Sequence, residues 1–273
     1  MMRERKVVLP DEDRNKENIS YSRDYRHINR NLYTYILQIL FILGPIIFGY
    51  LLTYSKLSYH VSSFVANILE TITGTGTGIT KVDYFPKFGG VYCVTMQGKS
   101  PSFTLSFVSL IITLMAIIVC SLIKTDKKPV MIFITIGLYI HLVSSAYFVL
   151  FGADKFPYDV NSYSILYMKQ QIIVWLMIMI IYWLSTSLIT NVSVYRILTF
   201  IMVSVISFAF GVIRYIVYMV IIAKGSYLFM AVLYFTFGVL FDFMIMVGVY
   251  SIFMKYASKK FKKKKEGGLW KWS

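Results

Sequence analysis

A six-helix transmembrane bundle, all-α apart from a short β-hairpin and with an amphipathic helix on its outer side, is the fold class this sequence predicts. Three observations lead there. The 273 residues are 57% hydrophobic and only 15% charged, with a mean hydropathy of +0.65, the composition of a multi-pass membrane protein. Six apolar stretches reach the ~17–25 residues needed to cross a hydrocarbon core. The basic residues gather beside alternate span ends instead of spreading over the chain.

The spans read as Tyr33–Tyr54, Phe103–Ile123, Pro129–Phe151, Lys169–Thr190, Ile197–Ala223 and Tyr227–Tyr256. Residues 1–32 are a polar segment without a cleavable signal peptide, residues 33–256 the membrane domain, and residues 257–273 a basic tail. The net charge of +15 follows this topology and is not a nucleic-acid footprint. Arg3, Arg5, Lys6, Arg14, Lys16, Arg23, Arg26 and Arg30 precede the first span. Lys124, Lys127 and Lys128 follow the second, Arg196 follows the fourth, and Lys259 to Lys265 follow the sixth. Positive charge beside span ends marks the cytoplasmic side, so both termini are expected in the cytoplasm and residues 55–102 outside. The lysine-rich tail, ending Leu269-Trp270-Lys271-Trp272, would rest on anionic headgroups, making the lipid bilayer the first partner.

The outer segment is too apolar for a plain loop. Val61, Phe64, Val65, Ile68, Leu69 and Ile72 recur at helical spacing, which predicts an amphipathic helix in the outer interface with Ser62, Asn67 and Glu70 on its wetter side. Gly74-Thr75-Gly76-Thr77-Gly78 ends it. Ile79–Phe85 and Val91–Thr95, joined by Pro86-Lys87-Phe88-Gly89-Gly90, read as a hairpin with a five-residue connection. Gly98-Lys99-Ser100 is no phosphate loop, because position 93 is Cys where that motif needs Gly. The Asn191-Val192-Ser193 sequon falls in a short cytoplasmic loop and is expected to be inert. The two cysteines, Cys93 outside and Cys120 at the cytoplasmic end of the second span, cannot pair on this topology.

The polar residues within spans carry the functional argument. Arg214 lies inside an apolar run, where a guanidinium costs at least ~2.5–3.5 kcal/mol and so faces a partner or a cavity. By rise per residue, Arg214, His141 and Tyr234 all stand roughly 10–15 Å below the outer surface, and Asp242 lies deeper, near mid-membrane. Arg214 therefore has two readings. In one it is half of an ion pair with Asp242, beside a His141 hydrogen-bonded to Ser144 and Ser145. In the other it serves thiol acyl transfer. There Cys93 would be the nucleophile, Arg214 would lower its pKa or hold an oxyanion, and His141 or His60 would move protons.

The second reading has a family counterpart. Cys93-Val94-Thr95-Met96-Gln97 after the interfacial helix and hairpin, Phe210-Gly211-Val212-Ile213-Arg214-Tyr215, and Tyr234-Phe235-Thr236-Phe237-Gly238 together resemble the motifs of the exosortase/archaeosortase family of multi-pass membrane transpeptidases. Gly211 and Tyr234 stand where that pattern has Asn and His. The resemblance implies a cysteine transpeptidase or protease of a prokaryotic cytoplasmic membrane, needing no metal and no cofactor. It would cleave C-terminal sorting signals of exported proteins at the outer face through a Cys93 thioester. Arg214 would hold the anionic centre, His141 (or His60) would replace the missing histidine unless Tyr234 donates, and Gln97 and Asp242 would line the binding region.

Two readings of other classes stand beside it. A non-catalytic transport or substrate-binding subunit would line a solute or proton path with Arg214, Asp242, His141 and Lys169. An inactive relative would bind sorting signals without cutting them.

Overall fold

The computed structural model describes residues 33, 36–37, 39–85, 87–122, 129–187 and 193–264. Six of its helices are long and apolar enough to cross a membrane, and two antiparallel strands complete the architecture. The polar segment 1–32, the lysines at 124, 127 and 128, the sequon residues Asn191 and Val192, and the tail beyond 264 lie outside the described residues.

A π-helical turn, Ile39–Leu43, runs directly into α1, Gly44–Thr73. The first span and the expected interfacial helix are thus one element of 35 residues. Nothing in the sequence between them breaks a helix, and the first residue that does is Gly74, which adopts a left-handed φ of 68° and donates to Glu70 O. The buried face of the extension is Ser58, Val61, Ser62, Val65 and Leu69, while Phe64 and Ile72 are exposed. That face is rotated from the one read off the apolar spacing, because it packs on the hairpin and not on lipid.

The hairpin pairs β1, Gly78–Phe85, with β2, Gly89–Thr95, in a register that sets Gly78 opposite Thr95 and Asp83 opposite Gly90. Gly89, at φ 99°, opens the return strand. The free edge of β2 would be a string of unmet amides, and side chains cap it at every second residue. Tyr92 N donates to Ser58 Oγ (3.2 Å), Val94 N to Tyr215 Oη (2.9 Å) and Met96 N to Asn161 Oδ1 (3.1 Å). Ser62 Oγ donates to Tyr92 O (2.7 Å). Three helices are therefore stitched to one strand, with Ser58 and Ser62, one turn apart on α1, holding the two backbone groups of Tyr92.

The remaining helices are α2 (Phe103–Leu122), α3 (Pro129–Phe151), α4 (Val160–Ser187), α5 (Ser193–Val220), α6 (Met230–Thr236) and α7 (Val239–Lys264). Ser102 starts α2 by accepting from Leu105 N, and Asp159 starts α4 by accepting from Ser162 N at 2.7 Å. The fourth span begins nine residues earlier than its apolar run, since Asn161, Ser162 and Ser164 are polar but helical. Helices α1, α4 and α5 pack around the main core with the hairpin and with Met230 and Leu233 of α6. Helix α7 packs on α4 and α5 around a second cluster with Val174, Ile178 and Val203, and α2 packs on α3, which joins the rest through α6. The sixth span is not one helix. It begins with a 3-10 turn at Tyr227–Phe229, then breaks between α6 and α7 at Phe237-Gly238.

Candidate functional site

The break in the sixth span is where Arg214 acts. Ending α6 at Thr236 frees carbonyl groups inside the membrane, where an unmet one is expensive. Arg214 Nη1 donates to Phe237 O and to Gly238 O, both at 2.9 Å. Its Nη2 donates to Gln171 Oε1 (2.6 Å) and to the carboxylate of Asp242, and its Nε donates to Tyr167 Oη (3.2 Å). A guanidinium has five N–H donors, and each meets an acceptor of the protein. The two charges also suit the two helix ends, with the cation at the C-terminus of α6 and Asp242 in the first turn of α7. Asp242 is fully buried, with Ser207 Oγ donating to it (3.4 Å).

Two glycines admit this arrangement. At Gly238 an added Cβ would stand 2.2 Å from Tyr234 O, so the chain cannot turn there with a side chain present. At Gly211 a Cβ would stand 2.7 Å from Gln171 Nε2. Gln171 occupies the room that glycine leaves, and Gly211 O accepts from Tyr167 Oη (2.8 Å). Tyr167 and Gln171 are the residues the sequence reading missed. The signal was Lys169-Gln170-Gln171 in the middle of a helix, read instead as a span end.

Cys93 belongs to a different layer. It is fully buried in the main core. Burial pushes its thiol up to about 12, with Lys169 nearby opposing the shift. Tyr215 links the two layers. Its hydroxyl accepts from Val94 N and lies 2.5 Å from Ser164 Oγ, and its ring stacks on Tyr167 at 4.9 Å. Among the described residues no hydrogen bond joins Cys93 to Arg214, His141 or Tyr234. The hydroxyls of Tyr163 and Tyr218, both buried in this tyrosine layer, have no hydrogen-bond partner there.

The other expected site residues are dispersed. His141 is on α3, bonded to Ser109 Oγ (2.9 Å) and stacked on Phe229. Ser144 turns instead to Leu228 O (2.9 Å). His60 is exposed on α1 beside Tyr59, and Gln97 is exposed after β2. Tyr234 packs edge-on to Tyr163 and lines a cleft of about 510 Å³ between α4 and α7. Lys169 and Gln170 stand in that cleft with Ile173, Met177 and Ile181 along its length, and Asp242 forms part of its wall. The Lys169 ammonium lies over the Tyr84 ring at 5.4 Å.

Among the described residues no group of three or more metal-ligating side chains occurs. The chain matches no family model, no curated protein and no solved structure.

Proposed function

We propose that this protein is a non-catalytic, substrate-binding membrane protein that holds an apolar, membrane-borne segment of another protein in the cleft between α4 and α7. One observation carries the reading: all five donors of Arg214 are occupied by protein acceptors. An oxyanion arriving at this guanidinium would have to displace Asp242 or two backbone carbonyls. The thiol supports the same conclusion, since a nucleophile must be a thiolate and Cys93 is buried with its pKa raised. The cleft has the complementary character, apolar along α4 and polar at its hairpin end. Exported proteins with a C-terminal sorting signal are the partner class in keeping with the motif resemblance. The proposed setting is a prokaryotic cytoplasmic membrane with both termini inside.

A cutting enzyme is the second reading, and the tyrosine layer is what favours it. Tyr215 and Tyr167 connect the strand carrying Cys93 to Arg214, so the two share one continuous layer of contacts. The test is site-specific photo-crosslinking from Ile173 in cells, with wild type and Cys93→Ala compared. Capture of the same intact polypeptide by both supports binding without cutting. A cleaved product in wild type that vanishes in Cys93→Ala establishes the transpeptidase. Absence of any polypeptide adduct overturns both.

A further inference from the structure

The hairpin has two edges, and only one of them is capped. Along β2 and just past its end, the N–H groups of Tyr92, Val94 and Met96 donate to side chains of α1, α5 and α4. The register carries that alternation across to β1, where Lys81 is paired with Tyr92 and Ile79 with Val94. Those two residues of β2 turn their amides to the helices, so the backbone groups of Ile79 and Lys81 point away from β2. Asp83 follows by the period of two. Among the described residues no hydrogen bond reaches the N–H or C=O of these three. No residue of β1 is buried, so this edge is open.

The usual protections of an open edge are weak here. A charged side chain lying across the edge would block it, but Lys81 leans inward over the Tyr92 ring (5.9 Å). The bulge between Asp83 and Phe85 comes only at the end of the strand. The edge also leads to the cleft between α4 and α7. Tyr84, next to Asp83, lines that cleft, and its hydroxyl donates to Lys169 O (3.3 Å). A chain whose apolar part lies in the cleft brings its adjoining residues, outside the membrane, alongside β1. Alternating open donors and acceptors match an extended main chain, whereas a helix has already paired its own and an acyl chain has none. Lys81 and Asp83 carry opposite charges, so the edge selects extended backbone over either sign. We propose, on the reading that the cleft seats an apolar segment of a partner protein, that β1 binds the extended residues adjoining that segment as a third strand.

The test places a photo-crosslinker at Ile79 or at Asp83, both exposed, in the full-length protein in cells. Each adduct is mapped by mass spectrometry, and crosslinking from Ile173 locates the apolar segment of the same polypeptide. An extended partner advances one residue per residue of β1, so the two adducts should fall about four residues apart. The Asp83 adduct should lie nearer the apolar segment. A helix covering the same ~13 Å would separate them by about nine residues. Lys81→Pro removes an outward N–H but no bond between β1 and β2, and should cut the Ile79 adduct about 5-fold, the loss of one hydrogen bond. Lys81→Thr keeps the amide and should leave the adduct unchanged. Protection of Cys93 from impermeant maleimide shows that the hairpin of the proline variant is intact; where it opens, the wild-type spacing decides alone. Helical spacing, an adduct only with a second copy of this chain, or an unchanged adduct in an intact Lys81→Pro hairpin would each overturn the third strand. So would capture from Ile173 with none from Ile79 and Asp83, and all four results leave the cleft reading standing. Absence of a polypeptide adduct from all three positions overturns both.

Discussion

Among the described residues, the polar clusters around Arg214 and around His141 are finished differently. Around Arg214 every donor of the cation has an acceptor, drawn from α4, the broken sixth span and Asp242. Around His141 two neutral polar atoms, its own Nδ1 and Thr236 Oγ1, are buried with no hydrogen-bond partner among the described residues. The difference follows from charge. An unpaired buried ion costs several kcal/mol, whereas an unmet neutral group costs about 1–3 kcal/mol. A fold can tolerate the second kind of vacancy, but not the first. The guanidinium that draws the eye in the sequence is therefore the brace, and the unremarked threonine is left unpaired at small cost.

The sharpest way to break this comparison is Arg214→Met. It should destabilise the protein by about 3–5 kcal/mol, because Asp242 stays buried without its partner. Adding Asp242→Leu should recover part of that loss, which denaturant unfolding in micelles would show. A small effect of the single change would mean that Arg214 is not structural. Next in size, Gly238→Ala should cost about 1–3 kcal/mol through overpacking against Tyr234 O, read as a lowered thermal midpoint.

Asp159, outside both clusters, supplies a solvent-facing reference. Asp159→Ala removes the cap of α4 and should cost about 1 kcal/mol at pH 7. Burial alone would raise the Asp159 pKa, but hydrogen bonds from Ser162 and Asn161 outweigh it and hold the carboxyl below its ordinary value. A lowered folded pKa gives stability that is complete above the unfolded value near ~3.9 and is lost as pH falls through the folded value. The gap between wild type and Asp159→Ala should thus close below about pH 4. The smallest change has the opposite sign: Thr236→Val should leave stability unchanged or raise it slightly, because it removes a buried hydroxyl that has no partner among the described residues. Impermeant maleimide should react negligibly with native Cys93 near neutral pH, where a thiol with a pKa of about 12 is almost wholly protonated. Rapid labelling would show that the hairpin opens.

Span number was legible because hydrocarbon thickness sets the length of an apolar run, and residues 103–122 and 129–151 state it plainly. The hairpin was legible from β-branched residues between glycines. Asp242 was in view as a partner for Arg214, but not its place in the first turn of a new helix. The break at Phe237-Gly238 left no signal beyond a glycine in a span, and glycine is common in such helices. Tyr167 and Gln171 were hidden for a different reason. They are polar residues on a helix 43 to 47 positions from Arg214, and only the packing of α4 on α5 makes them neighbours. The depth estimate that set His141 level with Arg214 took no account of azimuth, and the two face different helices.

The unbroken first helix has a consequence for the choice of membrane. At 35 residues it is roughly 50 Å long, against a hydrocarbon core of ~30 Å. The surplus is the mast that carries the two-stranded sheet, whose strand β1 has no buried residue and presents an edge of peptide groups. Those groups need water, so the bilayer can thicken only until its surface reaches the foot of the sheet. Tilting, the usual remedy for an overlong helix, would lower the sheet toward the lipid. Bilayer thickness thus becomes a variable the fold senses, and the protein should sort to, and unfold last in, membranes thin enough to leave the sheet wet.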